Sequence, residues 1–240
     1  MTDRNPKETR LPEALPWLET ICLGLLIIGL CVGTYIAVMT PGSFDAGIAA
    51  EDGPLEWSSA VALVIAALAL LRRIWIRTAR SSLFIAVSIF GAVILFFGAG
   101  EEISWGQRVF GWQSGEFFLE NNAQSETNIH NLMVGETKIN RVIFGTLLSL
   151  MFIFYFCILP FLTQRTTRLG RLVQTLFVPV PRLRHGALFA VSLIVMLSLP
   201  QSRAPELGEF ALALLLAAVI FNPNVRVASA KEAGPKDAGA

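Results

Sequence analysis

Long apolar runs separated by short charged ones leave a chain few ways to fold, because about 20 apolar residues is the length that crosses a ~30 Å hydrocarbon core. Trp17–Met39, at 23 residues, is such a run. Leu55–Ile76, Ser82–Gly100 and Val142–Leu162 follow, and Leu183–Pro200 and Leu207–Phe221 are shorter. The last two read either as full spans or as a helical hairpin that only partly crosses. A soluble domain carries about 25% charged residues, whereas this chain of 240 residues has 15% charged and 54% hydrophobic. The expected fold class is therefore all-α, an integral membrane helical bundle of about six transmembrane helices. Residues 1–16 are expected to form a polar cytoplasmic leader, 17–221 the transmembrane domain, and 222–240 a disordered cytoplasmic tail. The first run is too long for a signal peptide and no small-x-small cleavage site follows it, so it reads as a retained anchor.

The charges are sorted by side. Fifteen of nineteen Lys and Arg fall in the leader, in the connections after the second and fourth runs, and in the tail. Twelve of eighteen Asp and Glu fall on the opposite side. By the excess of basic residues in cytoplasmic loops, both termini are expected to be cytoplasmic, in the inner membrane of a bacterium. A net charge of +1, sorted in this way, gives no indication of a nucleic-acid partner; the implied partner is the lipid bilayer. Cys22, Cys31 and Cys157 all lie inside apolar runs and read as small hydrophobes. The basic connection Thr163–His185 contains V-P-V-P, too broken for a helix, and its arginines are expected at the cytoplasmic headgroups, with His185 a solvated loop residue.

Gly100–Leu132 is the stretch where chemistry is expected. It carries five carboxylates and one of the two histidines between apolar runs. Ile103, Trp105, Val109, Phe110 and Trp112 read as an interfacial helix or a continuation of the third span, in a connection anchored at headgroup level. Glu126 and His130 are four residues apart, and on a helix Asn122, Glu126 and His130 would form one polar stripe. Glu101 or Glu102 is the third partner in that reading. Glu101, Glu102, Glu126 and His130 are thus the candidate catalytic and metal-holding residues, with zinc, manganese or iron as the fitting divalent metals. Gln107, Arg108, Gln124, Asn128 and Asn131 are the candidate substrate-binding residues, suited to orienting a phosphate or a carbonyl.

The competing reading of the same residues is structural. Arg108 lies seven positions after Glu101, on nearly the same face of a continued helix, so Glu101, Arg108, Glu126 and His130 would form a satisfied network pinning the loop. Asp52 and Glu56 lie on the same side; if the second and third spans are adjacent they face Glu101 and Glu102, and such a group repels itself unless a cation or protons intervene. Pro54 is placed to open the second helix, and Glu56, Glu206 and Glu209 each also read as acids in a helical first turn. Neither Ser104 nor Ser125 sits in a nucleophile-elbow motif.

The blocks E-D-G-P-L-E-W before the second span, G-E-E-I-S-W-G-Q-R after the third, and N-A-Q-S-E-T-N-I-H-N-L resemble a set of uncharacterised bacterial multi-pass membrane proteins with E-E-x-S-W-G-Q-R followed by Q-x-E-x-N-x-H-N. The resemblance covers about Glu51–Leu132. It marks Glu101, Glu102, Ser104, Trp105, Gln107, Arg108, Gln124, Glu126, Asn128, His130 and Asn131 as signature positions and implies no particular activity. Three functional classes follow from the residues: an acid–base or metal-dependent enzyme on a lipid or lipid-linked substrate, a non-catalytic scaffold whose outer loop docks a partner, and a proton- or cation-coupled transporter. The acids sit at span ends and the span centres are almost uncharged, which weighs against transport.

Overall fold

The computed structural model describes residues 14–77, 81–129, 131–134, 137–138, 146–165 and 167–224. Seven helices frame them: α1 Pro16–Met39, α2 Pro54–Ile76, α3 Ser82–Glu102, α4 Leu148–Arg165, α5 Thr167–Thr175, α6 Leu183–Ser198 and α7 Ala204–Phe221. Among the described residues, α1, α2, α3, α4 and α7 are long and apolar enough to cross a membrane, and α6 is a shorter apolar helix of 16 residues. The fold is an all-α membrane helical bundle. A pair of two-residue strands, Met133–Val134 and Thr137–Lys138, is a small antiparallel addition to it.

Local chemistry places the helix ends. Pro16, Pro54 and Pro205 sit in the first turn of α1, α2 and α7, where a missing N–H costs nothing and a fixed φ helps. Ser81 caps α3, its Oγ accepting from Phe84 N at 3.1 Å. α6 stops two residues before Pro200, which cannot continue it.

The centre of the bundle is α7. Its apolar window is 67% buried, against 28% for α1 and 22% for α3, so the last of the five long helices is the core of the bundle. α2 packs most closely on α3 and α7, and α7 packs also on α1 and α6. Small residues make that approach possible. Ala60, Ala66 and Ala67 of α2 and Ala211, Ala217 and Ala218 of α7 are buried between the helices. At Gly29 of α1 a Cβ would lie 2.3 Å from the Phe210 ring, and at Gly33 one would lie 2.8 Å from Leu207. The large side chains Ile28, Trp75, Phe90 and Leu197 point outward and are exposed, as expected of a surface solvated by lipid. In α4 a π-helical turn over Phe154–Ile158 widens the backbone. Gly186 of α6 fits against it, with Phe156 and Phe189 stacked at 4.9 Å.

The two ends of the bundle are chemically distinct. One gathers the start of α1, the end of α2, the starts of α3 and α6 and the end of α7; Leu15 N bonds Phe221 O there at 2.7 Å, and Asn224 N bonds Val180 O at 2.8 Å. The other gathers the end of α1, the start of α2, the end of α3 and the start of α7, with Gln201 Nε2 donating to Ala37 O at 2.6 Å. The acid-rich segments are at this second end.

Candidate functional site

The chain leaves α3 through a backbone reversal. Ser104, Trp105 and Gly106 have φ of 44°, 55° and 73°, three successive residues in the left-handed region. Two of them are not glycine, so the surrounding contacts must hold them there. Trp105 folds back on α3: its Nε1 donates to Glu101 Oε1 at 3.1 Å, its ring lies edge-on to Phe97 at 5.6 Å, and it covers Gly100 where a Cβ would fall 2.8 Å away. A one-turn helix, Gln107–Phe110, and a second short helix, Glu116–Asn121, follow before the chain becomes irregular over the next residues. The expected continuation of the third span therefore breaks, and Arg108 does not share a helical face with Glu101. Nor is there a helix under Asn122 and Glu126. Ser125 is left-handed at φ 57°, Asn122 caps a tight turn by accepting from Gln124 N at 2.8 Å, and the i,i+4 stripe is absent. Short polar side chains able to bond nearby amides favour such turns over helix.

Glu126 nevertheless stands at the centre. It is 4% exposed and accepts from Ser104 Oγ at 2.6 Å, from Asn128 Nδ2 at 3.0 Å and from Arg108 Nη2. Asn128 Nδ2 also reaches Ser104 Oγ at 2.8 Å, and Asn122 Nδ2 donates to Asn128 Oδ1 at 2.9 Å. Arg108 continues the network to the turn before α2, its Nη1 on Asp52 Oδ2 at 3.0 Å and its Nη2 3.9 Å from Glu51 Oε2. Burial works against the Arg108 charge, but Glu126, Asp52 and Glu51 outweigh it and hold the guanidinium pKa above its ordinary value. Glu51 is shared by Arg203 Nη2 at 2.8 Å and Gln124 Nε2 at 2.6 Å, and Gln124 Oε1 accepts from Asn131 Nδ2 at 2.7 Å. Gln107 Oε1 accepts from Thr127 N at 2.9 Å and lies 3.0 Å from Ser114 Oγ. The five expected substrate-binding side chains, Gln107, Arg108, Gln124, Asn128 and Asn131, are thus each bonded within one cap over the start of α2, the end of α3 and the start of α7.

The adjacent pair Glu101 and Glu102 divides. Glu101 is buried and turned into the cap, accepting from Trp105 and, through Oε2, from Ile129 N at 2.6 Å. Glu102 faces the bundle axis instead, toward Glu206 of α7 and Glu56 of α2. The adjacency of the second and third spans does bring Glu56 to Glu102, and Glu56 Oε2 accepts from Asp52 N at 2.6 Å. His130 lies outside the described residues. Among the described residues no group of three or more His, Cys, Asp or Glu is arranged to hold a metal ion. Glu126 accepts from three donors and Glu101 from at least two, so both carboxylates are engaged as hydrogen-bond acceptors in the cap.

A second buried polar cluster, at the other end, lies outside the sequence motifs. Glu19 of α1 is 2% exposed and receives Arg184 Nε at 2.6 Å and a second bond from Arg184 Nη2, His185 Nε2 at 2.7 Å and Asn222 Nδ2 at 2.6 Å. His185 Nδ1 accepts from Arg182 N at 3.1 Å, which assigns its proton to Nε2, facing Glu19. Arg182 bonds Asn222 Oδ1 at 2.7 Å. His185 is fully buried, not a solvated loop residue: the helix α6 begins at Leu183 and carries it inward against α1. The signal was available in Glu19, the one acid inside the first apolar run, since an ionisable residue in a span is retained only with partners.

Comparison with protein-family models, with curated proteins and with solved structures returns no match for this chain.

Proposed function

We propose that the chain is a multi-pass protein of a bacterial inner membrane, both termini cytoplasmic, whose acid-rich outer end is a fixed, non-catalytic docking cap. The observation that supports this is the occupancy of Glu126: its carboxylate accepts three hydrogen bonds, one from a guanidinium, so its oxygens are already engaged within the cap. Around the cap, Phe110, Phe117 and Leu119 are exposed on a framework held rigid by the polar network. A rigid polar core presenting an apolar rim at the membrane interface suits a membrane-embedded partner protein. The test is a photo-cross-linking residue at Phe117 in cells. A discrete adduct with one protein, lost when Glu126→Ala loosens the cap, is expected; no adduct at Phe110, Phe117 or Leu119 overturns the reading.

One observation favours a second reading. Glu102, Glu56 and Glu206 converge, and of these Glu102 has no hydrogen-bond donor among the described residues. Carboxyls so placed suit acid–base work on a lipid or lipid-linked substrate. In proteoliposomes of bacterial polar lipids, lipid turnover seen by mass spectrometry and abolished by Glu102→Gln establishes this reading and displaces the first. Unchanged lipids remove it.

A further inference from the structure

Glu19 is bonded by an imidazole that has no spare nitrogen. Arg182 precedes α6 as its N-terminal capping residue, and its backbone N–H points at His185 Nδ1 from 3.1 Å. A backbone N–H only donates, so Nδ1 carries the lone pair and the ring proton sits on Nε2, 2.7 Å from Glu19 Oε1. Neutral imidazole satisfies both contacts at once. Imidazolium, with hydrogen on both nitrogens, cannot. The same Arg182 holds the chain that leaves α7. Its Nε donates to Asn222 O at 3.0 Å, and its Nη2 to Asn222 Oδ1 at 2.7 Å and to Pro223 O at 3.1 Å. Asn222 Nδ2 in turn donates to Glu19 Oε2 at 2.6 Å, and Asn224 N to Val180 O at 2.8 Å. One buried ring therefore stands between α1, the first turn of α6 and the three residues that follow α7.

We propose that His185 makes this join a pH-sensitive clasp: neutral, it fastens α6 to α1 and keeps Arg182 on Asn222–Asn224; protonated, it releases that segment. A proton arriving on Nδ1 faces the Arg182 N–H, so an acceptor becomes a second donor and the start of α6 loses its cap. The charges around the ring oppose the proton as well. Among the described residues, α1 brings Glu19 and, one turn on, Cys22, while α6 and the residue before it bring Arg184 and Arg182. The turn of α4 that packs on α6 carries Tyr155, whose Oη donates to Pro179 O at 2.7 Å, and Cys157; the end of α7 brings the uncharged Asn222. Glu19 is thus the one carboxylate near the ring, and it already receives Arg184. The ring is fully buried, so water does not screen an added charge. The released state binds a proton that the clasped state excludes, so the clasp tightens as pH rises and opens as it falls. It lies at the end opposite the docking cap, and its failure leaves the docking reading untouched.

The experiment uses the full chain in neutral detergent micelles and follows amide hydrogen exchange from about pH 8 to about pH 5.5, a window that brackets the ordinary imidazole pKa of ~6.5. Each rate is divided by the intrinsic rate at that pH. Exchange of the Arg182, Asn222 and Asn224 amides is expected to rise roughly 10-fold across the window, the equilibrium factor of one lost hydrogen bond, while amides at the centre of α7 keep their protection. The variant His185→Asn keeps an oxygen acceptor near the place of Nδ1 and does not titrate, so its exchange is expected to be independent of pH. A purely structural imidazole predicts the same profile in both proteins. The chain has two histidines, and His130→Gln leaves His185 as the only ring. Nitrogen NMR of that ring, which needs no change at His185, is expected to show the Nε2–H form at about pH 8 and a second proton arriving in the same step as amide release. Flat exchange in the wild type, an undiminished pH response in His185→Asn, or a ring that titrates without amide release overturns the proposal.

Discussion

Replacing Glu19 by Gln should destabilise the bundle more than any comparable change in the cap, because it opens a buried acceptor that joins three helices. Glu19 receives bonds from Arg184, His185 and Asn222, and is 2% exposed. Gln in its place keeps one acceptor oxygen and turns an NH2 group toward donors. Hydrogen bonds to a charged group contribute about 1.5–3 kcal/mol each. The Arg184 side chain is 49% exposed, so water rehydrates it and its share must be discounted. His185 and Asn222, buried at 0% and 6%, have no such recourse. The net loss should be about 2–4 kcal/mol, near the lower end of the cost of breaking a buried pair by removing one partner. At ~2–4 °C per kcal/mol for a chain of this size, the midpoint should fall by roughly 5–15 °C. The assay is thermal unfolding of the purified protein in detergent, followed by tryptophan fluorescence, with Arg184→Gln and Asn222→Ala combined with Glu19→Gln in double-mutant cycles. Coupling to Asn222 should exceed coupling to Arg184. A drop below ~2 °C, or equal coupling to both, would refute the argument that burial sets the cost.

Three further outcomes follow from the packing. Gly29→Ala puts a Cβ 2.3 Å from the Phe210 ring and should cost about 1–3 kcal/mol as an overpacked helix contact, whereas Gly24→Ala, with nothing within 4 Å, should leave the unfolding midpoint unchanged. Glu126→Ala strips Ser104, Asn128 and Arg108 of a shared acceptor; hydrogen exchange of the Thr127 and Ile129 amides should accelerate at least 10-fold while α7 amides are unaffected, and uniform protection across the cap would show that the network does not hold it. With the three native cysteines replaced, Thr175→Cys should react with an impermeant maleimide only in inverted vesicles and Ser202→Cys only in intact cells, and the reverse pattern would invert the topology.

Much of the architecture was readable from residue order. The apolar runs announced α1, α2 and α3, and Pro54 announced the start of α2, because length and the missing N–H act locally. The cap was readable as a location but not as an arrangement. The i,i+4 logic for Asn122 and Glu126 assumed a helix, and here the Asn side chain bonds its neighbours' amides instead. Likewise the continued helix that would have aligned Arg108 with Glu101 ends in the left-handed turn at Ser104–Trp105–Gly106. That turn is held by Trp105 on α3 and Glu126 on Ser104, contacts separated by up to 22 positions.

By itself the sequence determined that this is a helical membrane protein with most of its acids at one end and most of its basic residues at the other, since transfer of apolar runs and charges between water and lipid depends on composition alone. Only the tertiary structure decided which helix is central, which of Glu101 and Glu102 enters the cap, and that Glu19 and His185 meet. In lipid every helix is apolar all round, so hydropathy cannot tell a buried face from a lipid-facing one. Adjacent side chains on a helix point some 100° apart, so what each meets depends on neighbours distant in sequence. For α7 that neighbour is the small-residue surface of α1 and α2; for Glu102 it is Glu56 and Glu206; for Glu19 it is a helix that begins 164 residues later, at Leu183.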